Sequence, residues 1–304
     1  VVVIVGPSGV GKTAFALALA PRFGAEIVNA DSLQVFRELD IGTAKPTPAE
    51  RAAVPHHLVD IVSVDQEFDA AQFCRRGREV LAALHRRGIL PLVVGGSGLY
   101  LRALLYGLFA EGAANPEIRQ QLVVEEAQRG LAALYDELRQ QDPETAARLH
   151  PHDAYRIRRA LEVIRATGRP LSEQQRQHGF ASCPYRLLKI GLQRPRPELY
   201  ARIEARVEEM LAQGFLEEVR ELLRRYPADL KPLQSLGYRH LAAYLRQELS
   251  WDEAIALLKR DTRRYAKRQL TWFRADPEIH WLHPDQLETA AALIRNFLRS
   301  ESGS

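Results

Sequence analysis

One stretch, Val1 to Thr13, constrains this chain more than any other. Its first five residues, Val1 to Val5, are all β-branched. Such a run is too short for a membrane helix and apolar enough for a strand buried on both faces. Gly6, Pro7, Ser8, Gly9, Val10, Gly11, Lys12 and Thr13 follow with the spacing G-x-x-x-x-G-K-[ST], and the apolar residues Ala14 to Ala20 begin a helix. Strand, glycine loop and helix form the context in which successive backbone N–H groups cradle two linked phosphates, aided by the positive end of the helix. Lys12 then reaches the outer phosphate, and the Thr13 hydroxyl reaches a magnesium ion.

The rest of the chain extends this start into an α/β fold. "AEIVNADS" reads as a second strand ending on Asp31, followed by the polar stretch 38–60, which holds only short elements. Asp69 is placed to cap a helix through Arg87 that stops at Gly88, and "ILPLVVGGSGLY" is a third buried strand running into a glycine turn. Strands alternating with helices imply a parallel sheet. Residues 113–184 carry only helical patterning, with stops at Asn115-Pro116, Gly130, Asp142-Pro143, Asp153 and Gly168-Arg169-Pro170. A strand returns at "YRLLKIGL", followed by helices near 196–213, 215–225, 236–248 and 251–274, a short strand "EIHWL" and a last helix. The expected architecture is a phosphate-loop parallel sheet core over 1–112, an all-helical insertion domain over 113–184, and a return to the core with a basic helical C-terminal region over 185–304.

With 304 residues, 46% hydrophobic and 26% charged, the composition is that of a soluble globular protein. No apolar run approaches the roughly 20 residues that span a bilayer. Cys74 and Cys183 lack C-x-x-C partners, which speaks against zinc and a disulfide framework and makes a reducing cytoplasm the expected location. The first residue is Val1 and not Met, which suggests a trimmed N-terminus. The net charge of +4 is modest but unevenly spread. "KRDTRRYAKRQLTWFR", 259–274, holds seven Lys or Arg against Asp261, and "YRIRRALEVIR", 155–165, is a second basic cluster. A solvated helix face explains one such run; two point to a polyanionic partner.

ATP hydrolysis is the weaker use of this loop. Phosphate-loop hydrolases place an acid at the end of a neighbouring buried strand, and here that strand ends in Gly95, Gly96 and Ser97. Asp60 sits in a short, weak strand candidate, "HLVDIV". Asp31, at the carboxyl end of the second strand, stands where open α/β sheets bind ligands; it is equally suited to capping a helix begun by "SLQVF".

"GPSGVGKT", "NADSLQVFRELDIGTAKP", "PHHLVDI", "LVVGGSGLYLRALLYG", "RIRRALEV", "ELYARIEARVEEML", "LGYRH" and "YAKRQLTWFR" occur in the order and spacing of the tRNA dimethylallyltransferases. The chain resembles that family from Val1 to about Leu282. The resemblance implies transfer of the five-carbon group of dimethylallyl diphosphate to the exocyclic amine of the adenosine 3′ of the anticodon. An allylic diphosphate needs two phosphates held and the leaving-group charge stabilised, and it needs no activated water.

By the same resemblance, Gly6 to Thr13 hold the diphosphate and its Mg2+, with Arg202 and Arg206 closing on it, and Asp31 is the general base. Ser32, Leu33 and Gln34 contact the target nucleotide, and Ser97 and Arg119 are further contacts to the substrate RNA. Tyr155, Arg156, Ile157, Arg158, Arg159, Gln234, Ser235, Leu236, Gly237, Tyr238, Arg239, Lys267, Arg268, Gln269, Thr271, Trp272 and Arg274 fall in RNA-contacting segments. Arg260, Arg264 and Arg268 share one helical stripe suited to phosphates. Of Trp272 and Phe273, at least one is expected in the core. The insertion is expected to grip the anticodon stem-loop, with the target base leaving its stack, and the enzyme is expected to act as a monomer. Ser8, Phe36 and Ser97 are mild departures from the family pattern, and the zinc-finger extension of some eukaryotic members is absent, as in bacterial-type enzymes. A small-molecule kinase and a non-catalytic RNA-binding protein remain alternatives; a relative that prenylates free adenine nucleotides fits the basic C-terminal helices less well.

Overall fold

The computed structural model describes residues 1–108, 115–178 and 183–300. In chain order its elements are β1 (Val2–Val5), α1 (Lys12–Leu19), β2 (Glu26–Asn29), α2 (Pro48–Ala53), β3 (His56–His57), α3 (Ala70–Arg86), β4 (Pro91–Gly95) and α4 (Gly98–Tyr106). They continue as α5 (Pro116–Arg129), α6 (Leu131–Gln141), α7 (Pro143–Arg148), α8 (Ala154–Thr167), α9 (Leu171–His178), β5 (Leu188–Leu192), α10 (Arg196–Ala212) and α11 (Phe215–Arg225). The last are α12 (Tyr238–Leu245), α13 (Trp251–Arg274), β6 (Ile279–Leu282) and α14 (Leu287–Arg299).

All six strands pair in parallel, in the order β3-β2-β4-β1-β5-β6. The β-branched run at the N-terminus takes the interior position, where both faces must be apolar, and every residue of β1 is buried. Val2 and Ile4 share a core with Leu92, Val94, Leu188 and Ile190, and α1 and α14 cover it with Phe15, Ala16, Leu19, Ala290, Ala291 and Ile294. Because β1 pairs with β4 on one side and β5 on the other, the crevice beyond its carboxyl end is the sheet's switch point, where open sheets bind ligands.

The described residues divide into two compact units, 1–104 with 185–304, and 105–184. The expected boundary at 112/113 lies outside the described residues. The second unit is helical, with its own core of Leu122, Leu134, Leu138, Ala146, Ile157, Ala160 and Leu161. Its stops read in sequence are caps in the structure. Asn115, Asp142 and Asp153 accept backbone amides of the helices they precede, and Gly130 and Gly168 close α5 and α8 with φ of 80° and 69°. Asp142 also accepts Ser172 N at 2.9 Å and Ser172 Oγ at 2.7 Å, so one buried carboxylate starts α7 and fastens α9.

Two local expectations are corrected. "SLQVF" forms turns and no helix, because Asp31 closes on itself within two residues. The short edge strand is His56–His57, three residues before Asp60. Asp60 has φ 57° and is consumed by Lys45 at 2.5 Å and Arg51 at 2.6 Å. Among the described residues, no helix is long and apolar enough to cross a membrane.

Candidate functional site

The loop after β1 is built to leave amides unanswered. Gly9 and Gly11 hold φ of 80° and 109°, a region that side chains other than glycine rarely enter. Gly11 caps α1 with no side-chain acceptor. The N–H groups of Gly11, Lys12 and Thr13 therefore find no partner among the described residues, as the first turn of a helix leaves them. Neighbours brace the loop from behind through its carbonyls. Arg194 Nε donates to Val10 O at 3.0 Å and Arg202 Nε to Gly9 O at 3.1 Å, while Lys12 Nζ donates to Gly6 O and Pro7 O at 2.9 Å each.

A second brace comes from α13. Gln269 is buried; its Oε1 accepts Ser8 N at 2.8 Å and its Nε2 donates to Gly96 O at 2.9 Å. One amide thus ties the phosphate loop to the end of β4. The end of β4 also explains the missing acid. A Cβ on Gly95 would stand 2.1 Å from Ala30 O, so no side chain fits there.

Charge gathers in front of the loop. Burial, and after it the Arg206 cation, pull Lys12 down to about 8, with Asp31 opposing. Burial likewise holds the Arg206 guanidinium below its ordinary value against the pull of Asp31 and Glu209. Arg206 makes no hydrogen bond or ion pair among the described residues. Two desolvated cations, with the Asp31 carboxylate too little to neutralise both, suit this place to a polyanion.

With no helix to cap, Asp31 holds a local turn with one carboxylate oxygen and leaves the other open. Its Oδ1 accepts Leu33 N at 2.9 Å and Gln34 N at 3.4 Å, the local turn of a capping residue. Its Oδ2 accepts no hydrogen bond among the described residues, and its charge is felt by Lys12, Arg206, Tyr100 and Tyr265. Ser97 Oγ accepts Ser32 N at 3.0 Å, which joins the ends of β2 and β4 at the same place. Tyr265, which sequence reasoning does not single out, bonds Ser97 and Gln269; burial and then the Asp31 charge push its phenol up to about 12. Its position, four residues before Gln269 on α13, is the signal that could have revealed it.

The expected RNA contacts fare unevenly. Tyr238 is fully buried and donates its hydroxyl to Glu218 Oε1 at 2.7 Å, and Gly237 is buried beside it with its N–H on His240 Nδ1. Ile157 belongs to the core of the helical unit. Gln269 is spent on its two loops, and the buried Gln34 gives its amide to Thr43 O and Ala44 O. These five residues are engaged by the chain's own packing and hydrogen bonds. Thr271 turns its hydroxyl to Lys267 O. Gln234 gives its amide to Ala228 O, while Ser235 and Leu236 are half-buried and Leu33 partly exposed.

On α13 Phe273 is buried while Trp272 is 48% exposed, its indole against the Gly98 backbone. The cationic stripe divides. Arg263 pairs with Glu204 at 2.6 Å and Lys259 with Glu208 at 2.5 Å, and Arg239, Arg260 and Arg264 gather round Asp261. Although burial opposes it, hydrogen bonds from His240, Arg260 and Arg239 hold Asp261 down to about 2. Lys267, Arg268 and Arg274 keep exposed cations without an acidic partner among the described residues. In the helical unit Tyr155 is 69% exposed, but Arg119 and Arg159 pair with Glu162, Arg156 with Asp153 and Arg158 with Glu126.

The family model described as "IPP transferase" matches residues 34–276. A tRNA dimethylallyltransferase of Syntrophobacter fumaroxidans is 59% identical over 97% of this chain and 86% of its own length. A tRNA dimethylallyltransferase 2 of Syntrophus aciditrophicus is 54% identical over 99% and 97%. Among solved structures, the tRNA isopentenylpyrophosphate transferase of Bacillus halodurans superimposes with a TM-score of 0.75 at 38% identity, covering 99% of this chain and 97% of that one. A eukaryotic dimethylallyltransferase acting on tRNA reaches a TM-score of 0.85 at 29% identity over 99% of this chain and 79% of its own.

Proposed function

The chain belongs to the IPP transferase family of tRNA dimethylallyltransferases and is a tRNA prenyltransferase, and from that premise we propose how its residues divide the reaction. The donor is dimethylallyl diphosphate, and the acceptor is the exocyclic amine of the adenosine 3′ of the anticodon. The amine nitrogen forms a bond to C1 of the allyl group as the bond from C1 to the diphosphate oxygen breaks, and the amine proton passes to Asp31. The N–H groups of Gly11, Lys12 and Thr13, with the Lys12 ammonium and Arg206, take the charge that collects on the departing oxygen. An adenine amine is a weak nucleophile, so a fixed proton acceptor contributes directly to the rate.

Mg2+ fits this chain as a cation carried on the diphosphate. Among the described residues, no group of three or more His, Cys, Asp or Glu side chains could hold a metal ion. Thr13 Oγ1 is the side chain that would hold the ion, which would otherwise be carried by the diphosphate itself. When bound, the ion supplies further neutralisation of the leaving group.

The observation that supports this reading best is the state of Asp31: one oxygen anchored in its turn, the other unbonded, in the field of Lys12 and Arg206. The test is transfer of label from dimethylallyl diphosphate into unmodified tRNA. Asp31→Asn should lower the single-turnover rate by about 100-fold or more while leaving tRNA affinity within about twofold. A variant as fast as the parent would remove Asp31 from the chemistry.

A further inference from the structure

Three consecutive backbone amides, from Asp40, Ile41 and Gly42, converge on one carboxylate far away in sequence. Glu218, in the first turn of α11, accepts Asp40 N at 3.1 Å and Ile41 N at 2.7 Å on Oε2, and Gly42 N at 3.1 Å on Oε1. The same Oε1 accepts the Tyr238 hydroxyl at 2.7 Å. A run of amides of this kind is an anion nest, filled here by a side chain of the chain itself. The approach is close: a Cβ on Gly42 would come within 2.2 Å of Phe215 Cε2 and 2.7 Å of Tyr238 Cζ. Phe215 and Tyr238 meet edge to face at 5.1 Å, so the loop lies on a rigid pair of rings.

The restraint reaches Asp31 in two further steps. Immediately after Gly42, Thr43 O and Ala44 O accept Gln34 Nε2 at 3.0 and 3.2 Å. The backbone N–H of Gln34 and that of Leu33 then hold Asp31 Oδ1. Lys45, buried, braces the same loop through Phe36 O at 2.8 Å and Asp40 Oδ1 at 2.5 Å. Hydrogen bonds and short stretches of covalent chain together link α11 to the carboxylate whose second oxygen accepts no hydrogen bond among the described residues.

We propose that Glu218 is a positioning residue for prenyl transfer: by filling the Asp40–Gly42 amide nest it fixes, through Gln34, where Asp31 presents its open oxygen to the acceptor amine. The inference rests on Asp31 being the base. Glu218 itself touches no reacting atom, so its removal should appear in kcat and not in donor binding. A misplacement on the order of 1 Å at a reacting group costs about 100-fold, so a loosened turn is expected to cost about tenfold or more.

The test compares Glu218→Gln, Glu218→Asp, Gln34→Ala and the Glu218→Gln/Gln34→Ala pair with the parent in the full chain, below their melting temperatures. Glu218→Gln should lower kcat about tenfold with KM for dimethylallyl diphosphate unchanged within about twofold. The pair should be little slower than Gln34→Ala alone, because both substitutions cut one path. Glu218→Asp, which keeps the charge but withdraws it by a methylene, should fall between, and it carries the test if Glu218→Gln does not fold. The proposal is overturned by a folded Glu218 variant with parental kcat, by a loss that follows only the unfolded fraction, or by losses that multiply in the pair. Asp31→Asn is measured alongside: parental activity there defeats the assignment of the base, whatever the Glu218 variants do.

Discussion

At the scale of single residues, the site joins groups whose ordinary properties have been displaced by burial. Lys12 is the clearest case, pulled down to about 8 from 10.5. Between those two values the folded chain binds fewer protons than the unfolded chain, so this group adds stability as pH rises across that window. A bound diphosphate acts in the opposite sense, because an anion beside the amine raises its pKa and draws a proton in. Diphosphate affinity should therefore hold steady below pH 8 and fall as pH rises through it, by up to about tenfold per unit, with proton uptake visible by calorimetry in buffers of different ionisation enthalpy. Lys12→Arg, which stays charged throughout, should flatten that profile; a profile that keeps its slope in the arginine variant assigns the proton elsewhere. The identities of Lys12 and Asp31 were readable from spacing and strand position. The coupling of Asp31 to Arg206 and Tyr265 was not, since those residues lie far along the chain and meet it only through packing.

At the scale of elements, α13 and β4 show how one segment serves two ends. In the N-terminal part of the basic run on α13, Lys259 and Arg263 pair with Glu208 and Glu204 of α10 while Arg260 and Arg264 share Asp261, leaving Lys267, Arg268 and Arg274 as exposed cations without an acidic partner among the described residues. If these three meet tRNA phosphates, removing all of them should reduce the slope of log affinity against log salt by about 0.7 to 0.9 for each phosphate that is no longer neutralised. Arg263→Ala should leave the slope nearly unchanged, and equal effects in the two variants would contradict this division of the helix. A count of positive charges could not foresee it, because which cations are spent depends on which acids α10 turns toward them. For β4 the strand was readable from its apolar run, but the reason it ends in glycine lies in the 2.1 Å between a Gly95 Cβ and Ala30 O. Gly95→Ala should cost about 1–3 kcal/mol in denaturant melts by forcing β2 and β4 apart; a neutral substitution would mean that the strand ends can separate freely.

At the scale of the whole molecule, the described residues form two compact units. The helical unit has its own apolar centre and a buried Asp142 whose four hydrogen bonds start one helix and fasten another. It should therefore lose structure as a unit. Leu134→Ala, which empties a fully buried position, is expected to cost about 2–5 kcal/mol and to speed amide exchange across α5 to α8 while β1, β4 and β5 keep their protection. Exchange that rises equally in the sheet would show one cooperative unit instead of two. In this unit the stops at Asn115, Gly130, Asp142, Asp153 and Gly168 were all visible in sequence, since capping is decided by a residue and its next few neighbours.

The sequence by itself determined what depends on local chemistry. The phosphate loop, the alternation of strands and helices, the helix caps and the family motifs all rest on residue type at short spacing, where backbone geometry and hydrogen bonding act over a few residues. Tertiary structure alone decided which polar groups are consumed. Gln34, Gln269 and Tyr238 look like RNA-binding groups in a sequence, yet their amides and hydroxyl answer backbone groups or a carboxylate brought from elsewhere in the chain. A buried polar group must find a partner, and the identity of that partner is a property of the packed chain.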